Sequence, residues 1–138
     1  MEAKVRHVEG LQFVGEASSG HAVVMDGDIK FGGRNTAVRP TELLLIGLGG
    51  CSGMDVISIL KKKQQDVRGL DINVKGQKAE TYPQKFTDIT LEFVVTGHNI
   101  SEEAVKRAVD LSMEKYCSVK ATIEGCAKIE FTYRIIEV

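Results

Sequence analysis

Between Leu43 and Leu60 the chain carries one almost unbroken apolar run, Leu-Leu-Leu-Ile-Gly-Leu-Gly-Gly-Cys-Ser-Gly-Met-Asp-Val-Ile-Ser-Ile-Leu. Pro40 suits the first turn of a helix, where its missing N–H costs nothing, and Glu42 suits the positive end of the helix dipole. Lys61-Lys62-Lys63 closes the segment with charges that complement the opposite end. A helix over Pro40 to Leu60 is therefore predicted, apolar nearly all round from Leu43 to Leu48. Such a helix must be enclosed, and 138 residues are few with which to enclose it. The run is also long enough to span a membrane, but Asp55 near its centre is expensive in lipid. The expectation is a central helix in a protein, covered in part by a second subunit, with no membrane partner.

Gly47, Gly49, Gly50 and Gly53 lie within this helix, and each weakens it by about 1 kcal/mol relative to alanine. Two explanations fit: close backbone packing, or a break near Gly49-Gly50. A break would place Cys51 at a fresh helix N-terminus, where free N–H groups stabilise a thiolate.

The flanking segments read mostly as strands. Short runs around Val5–Val8, Leu11–Gly15 and His21–Met25 are separated by Glu9-Gly10 and Ser18-Ser19-Gly20 and followed by Asp26-Gly27-Asp28, giving a three-stranded meander over roughly residues 3–31. Leu70 to Gln77 alternates, as does Ile89-Leu91-Phe93-Val95 against Thr90, Glu92, Val94 and Thr96. Ser101-Glu102-Glu103 starts a helix, with a capping serine and acids in the first turn. Val105, Val109, Met113 and Cys117 then recur every four residues, with Ala108, Ser112 and Tyr116 beside them, which puts Cys117 on the inward face of the last turn. Ile129, Phe131, Tyr133 and Ile135 form a final strand. No linker or repeat divides the chain, so one α+β domain over residues 1–138 is expected.

The net charge of -1 removes the electrostatic argument for nucleic-acid binding. The start, Met1-Glu2-Ala3-Lys4-Val5-Arg6, lacks the apolar core of a signal peptide, so a cytoplasmic location is expected. In a reducing compartment the three cysteines point to catalysis, sensing or metal binding rather than to a structural framework. His7, His21 and His98 are scattered without ligand spacing, so no metal site is expected. By pattern alone, Cys51 and Cys117 are open to two readings: small buried hydrophobes, or a reactive pair brought together by two packed helices.

The surrounding residues bear on that choice. Pro40-Thr41-Glu42-Leu43-Leu44-Leu45, Gly49-Gly50-Cys51, Asp55-Val56 and Ile59-Leu60-Lys61 resemble the first cysteine motif of the OsmC/organic hydroperoxide resistance family. Glu114-Lys115-Tyr116-Cys117-Ser118-Val119 is similar to the second. Val8-Glu9-Gly10-Leu11, Gly20-His21, Met25-Asp26-Gly27 and Gln65-Asp66-Val67 resemble the YhfA-like branch of that family, so the likeness spans essentially the whole chain.

The resemblance implies an OsmC-like fold: curved antiparallel sheets wrapped around long central helices in an intertwined homodimer. It implies that Cys51 is the peroxidatic thiol, which reduces an organic hydroperoxide and becomes a sulfenic acid. Cys117 would be the resolving thiol, closing a disulfide that an external dithiol, of lipoyl type, reopens; no bound cofactor is implied. The chain departs from the family pattern at the residues that orient the peroxide. Thr41 stands ten residues before Cys51, where active members have a glutamate, and Glu42 comes one residue later. The family's N-terminal arginine has no counterpart among Glu16 and Ala17, which leaves Arg39 or Arg34 to supply a guanidinium. Asp55, one turn after Cys51, is expected to bond a backbone group or a dimer partner, and Cys126 to be structural. Two functions follow: an organic hydroperoxide reductase in oxidative stress defence, or a non-catalytic protein of the same fold that binds a small molecule or senses oxidants at a dimer interface.

Overall fold

A computed structural model describes all of residues 1–138. They divide into two compact units, Met1–Leu44 and Leu45–Val138.

The first unit is built on the predicted meander. Strands β1 (Ala3–Glu9), β2 (Gln12–Ala17) and β3 (Ala22–Met25) pair antiparallel in that order. Gly10, at φ +57°, makes the tight β1–β2 turn that L side chains resist. After β3, Asp26 organises the following loop from a buried position. Its carboxylate accepts from the Thr36 hydroxyl at 2.5 Å and from the N–H groups of Gly27, Arg34 and Thr36. Gly33 lies so close to Gly27 that a Cβ there would collide with the Gly27 backbone. The sheet keeps little of its apolar surface covered: Val5, Val8, Leu11, Phe13, Val23 and Val24 all stay exposed.

Helix α1 runs from Pro40 to Lys62 without interruption. Of the two explanations for its glycines, the break at Gly49-Gly50 is absent and close packing holds. A Cβ on Gly49 would sit 3.1 Å from Val74, and one on Gly53 would sit 2.7 Å from Ile72. Gly47 and Gly50 meet nothing within 4 Å; they lie on the opposite arc of the helix, with Ile46, Met54 and Ile57, all exposed. Leu48, Ser52, Val56 and Leu60 on the inner arc are fully buried. Of the most apolar 18-residue window, 28% is buried, and α1 is long and apolar enough to cross a membrane by length and composition.

The rest of the second unit supplies that inner cover. Strand β4 (Asp66–Lys78) pairs antiparallel with β5 (Phe86–His98), and β6 (Lys128–Glu137) pairs parallel with β5. The sheet is thus mixed rather than wholly antiparallel. The connection from β5 to β6 passes through the helices, and a crossover of that length brings a strand back in the same direction. Central β5 buries Ile89, Leu91, Phe93 and Val95. They join Leu48, Val56 and Leu60 of α1, Val105, Ala108 and Val109 of α2 (Glu102–Leu111), and Met113 just beyond α2 in one core. As expected, Ser101 caps α2, its hydroxyl accepting from the Ala104 N–H.

Asp26 offers a test of how the first unit is held. Hydrogen bonds, the Thr36 hydroxyl first, hold its carboxyl at about 2 against an ordinary 3.8. A carboxyl depressed on folding contributes stability above its unfolded pKa and loses it as pH falls through the folded one. The melting midpoint should therefore drop between about pH 4 and pH 2. Asp26→Asn should start lower at neutral pH and lose most of that dependence; equal slopes would refute the assignment.

Candidate active site

The two motif cysteines come from different helical segments of the second unit. Cys51 is half-buried at the edge of the inner arc of α1. Cys117 is 4% exposed. It follows α2 through a single π-helical turn, Ser112–Tyr116, closed by the Cys117 N–H donating to the Ser112 carbonyl at 2.8 Å. The extra residue in that turn carries Tyr116 to the solvent side, where it is 50% exposed, rather than inward with its periodic neighbours. Cys117 itself has extended backbone angles (φ -69°, ψ 103°) and opens α3 (Ser118–Ile123). Its sulfur accepts from the Lys120 N–H at 3.4 Å. The helix start that the glycines suggested for Cys51 is therefore found at Cys117.

Both thiols are free, and Cys51 lies near enough to Cys117 to influence its ionisation. Burial pushes the Cys117 thiol above the usual cysteine range. The N–H groups of Lys120 and Val119 oppose that rise; the neighbouring Cys51 thiol, and the charge it carries when ionised, add to it. The pair thus consists of a partly accessible sulfur beside a buried one that keeps its proton.

Behind the cysteines lies a polar connection that periodicity did not single out. Ser112 is fully buried, and its hydroxyl donates to Asp55 Oδ2 at 2.9 Å, with the Ser52 carbonyl at 3.3 Å. Within the chain, the partner of Asp55 is therefore a side-chain hydroxyl rather than a backbone group. Ser52 is also fully buried and donates back to the Leu48 carbonyl at 2.8 Å. The available signal was a serine at a core position in each helix, since buried hydroxyls need partners.

The other candidates hold positions in the first unit. Glu42 accepts from the Arg39 N–H at 2.8 Å, which closes the start of α1. The Arg39 guanidinium donates to the Asn35 side chain at 2.7 Å and to the Ala37 carbonyl at 2.9 Å, with Asp28 at 3.9 Å. Arg34 pairs with Glu9 at 3.0 Å in the open. Cys126 is exposed in the turn after α3 and fills no core position. No three His, Cys, Asp or Glu side chains gather as a metal site would require.

Residues 33–132 match the model of the family described as OsmC-like protein. Protein YhfA of Escherichia coli strain K12 is 44% identical over 136 residues, covering 99% of this chain and 98% of YhfA. The crystal structure of a hypothetical protein from Aquifex aeolicus VF5 superposes with a TM-score of 0.82 at 33% identity, covering 99% and 97% of the two chains. The structure of an organic hydroperoxide resistance protein OsmC from Legionella pneumophila shares the fold at 14% identity, with a TM-score of 0.69 over 99% and 96% of the chains.

The origin of the Cys117 shift can be separated by substitution. In Cys51→Ala the thiolate absorbance of Cys117 should appear at lower pH than in the parent, because the neighbouring thiol and its charge are gone. It should still appear above the usual cysteine range, because burial, the larger cause, remains. An unchanged titration would show that the two thiols do not interact.

Proposed function

Because the chain belongs to the OsmC-like protein family, we propose that it is a thiol-dependent peroxidase reducing organic hydroperoxides in oxidative stress defence. The observation that carries this reading is a half-buried Cys51 thiol near enough to a buried Cys117 to raise its pKa further, so that Cys117 holds its proton. The Cys51 thiolate attacks the terminal oxygen of the peroxide, the O–O bond breaks, and the alkoxide leaves and takes a proton to become the alcohol. Cys51 is now a sulfenic acid. Cys117 attacks its sulfur, the S–O bond breaks, and the Cys117 proton leaves with the hydroxide as water. An external dithiol of lipoyl type reduces the disulfide by exchange, restoring both thiols and becoming a disulfide itself. No bound cofactor is needed. Members of the same fold named as organic hydroperoxide resistance proteins support the substrate class. Arg39, with Glu42 bonded to its N–H, is the proposed guanidinium that orients the peroxide.

A second reading has its own observation. Arg39 and Arg34 are both engaged in contacts of the first unit, and Glu42 closes a helix start. With all three so occupied, the pair can serve a protein that binds a small molecule or registers oxidants without turnover. NADPH-coupled turnover with cumene hydroperoxide, recycled through a lipoyl dithiol, separates the two. Fast turnover that prefers cumene hydroperoxide over hydrogen peroxide and falls at least a hundredfold in Cys51→Ser is expected. Titratable thiols without turnover would favour binding or sensing.

We also propose that the working form is a cytoplasmic homodimer. Ile46, Met54 and Ile57 on α1 and the apolar side chains of β1–β3 remain exposed in the single chain. Apolar faces left open in this way are uncommon in monomers. The small residues Gly47 and Gly50 leave room for a second copy to approach the outer arc of α1. The expected solution mass at micromolar concentration is that of two chains, and Met54→Asp with Ile57→Asp should halve it. A parent of monomeric mass would end this proposal.

A further inference from the structure

The polar connection behind the cysteines calls for its own explanation. Ser52, Asp55 and Ser112 bring polar groups into the junction between α1 and α2, where apolar side chains of similar size would pack at lower desolvation cost. The arrangement is specific in what it joins. Ser52 is next in sequence to Cys51, and Asp55 lies one turn further along the same helix. Ser112 binds both through its hydroxyl, and through its carbonyl it receives the Cys117 N–H. One residue therefore holds the backbone of the second cysteine with one of its groups and the helix of the first with another.

We propose that Asp55 and Ser112 are positioning residues for closure of the Cys51–Cys117 disulfide. The inference rests on the redox reading of that pair, not on the identity of the peroxide. Disulfide closure needs Cα atoms about 4.4–6.8 Å apart with suitably directed Cβ vectors. The Asp55 carboxylate fixes Ser112 against α1, and the π turn that begins at Ser112 delivers Cys117 to Cys51. The step itself is the one balanced above: the S–S bond forms while the S–O and S–H bonds break, and water leaves. Neither Asp55 nor Ser112 exchanges a proton with the sulfurs in this account. Both act through the placement of Cys117, so their removal should slow the second step and spare the first.

The experiment follows the two steps separately in the parent, Ser112→Ala, Asp55→Ala and Asp55→Asn. One equivalent of cumene hydroperoxide is added; dimedone trapping read by mass spectrometry reports the sulfenic acid, and loss of both free thiols reports the disulfide. Closure is also driven by diamide, which needs no peroxide chemistry. In Ser112→Ala and Asp55→Ala, closure should slow at least tenfold by either route. Sulfenic acid formation should stay within twofold, and dimedone adduct should accumulate. Asp55→Asn keeps an oxygen that accepts the Ser112 proton and should recover most of the closure rate. If Ser112→Ala does not fold, the Asp55 pair carries the comparison. Closure at the parental rate in the Ala variants overturns the proposal. So does equal slowing of both steps, or failure of Asp55→Asn to rescue. A parent that closes with diamide but ignores cumene hydroperoxide would refute the peroxidase reading alone, and the positioning comparison would still be read from the diamide arm.

Discussion

The close approach of α1 to strand β4 is the constraint on which the second unit depends. Two glycines one turn apart, Gly49 and Gly53, let the helix axis settle against Val74 and Ile72 at distances that a Cβ would crowd. That contact sets which arc of the helix points inward. Leu48, Val56 and Leu60 then fall on the core side, and each fully buried side chain of this kind contributes about 1.5–3 kcal/mol. The same rotation places Cys51 at the edge of the buried arc, where a thiol can meet both a buried partner and an incoming molecule. Burial of one arc and accessibility of the sulfur are thus consequences of a single packing choice.

The helix that carries Cys117 is governed by a different interaction. An uninterrupted α-helix from Glu102 would continue the four-residue spacing and bring Tyr116 inward beside Cys117. The π turn breaks that spacing after Ser112, turns Tyr116 outward, and leaves Cys117 with extended angles between two helices. A widened turn gives up regular hydrogen bonding, and such turns recur at functional sites. Here it is stabilised at its first residue, because the Ser112 hydroxyl is tied to Asp55 while its carbonyl takes the Cys117 N–H. The polar groups inside the core are therefore satisfied, as a buried network must be.

Much of this was legible in the residues. The meander, the long helix, the serine cap at Ser101 and the alternating strands all carry local signals, namely periodicity, turn glycines and capping chemistry, and these appear where the patterns put them. The four glycines were ambiguous because one composition supports two outcomes. Only tertiary packing distinguishes a kinked helix from one pressed on a sheet, and here two glycines serve packing while Gly47 and Gly50 face outward. The direction of β6 was hidden as well, since alternation gives the buried face of a strand and not its polarity. The Ser112–Asp55 bond spans 57 positions, and no local pattern reports so distant a pairing. What marked it was chemical: hydroxyls at positions where the spacing demands apolar side chains.

The placement of the helix start at Cys117 rather than Cys51 bears on how the pair can work. An N–H directed at a sulfur favours its ionised form, so the Lys120 bond alone would lower the Cys117 pKa. Burial and the neighbouring Cys51 outweigh it, and the Cys117 thiol is raised above its ordinary range. In the proposed peroxidase reaction, a resolving thiol at Cys117 would benefit from this balance. While Cys51 is a thiolate, its charge opposes ionisation of Cys117, which holds its proton. Once Cys51 has become a neutral sulfenic acid, the charge that opposed ionisation of Cys117 is gone, and the Lys120 N–H remains to support the anion. The same surroundings would thus oppose the Cys117 thiolate less after the first step than before it, while burial continues to hold its pKa up.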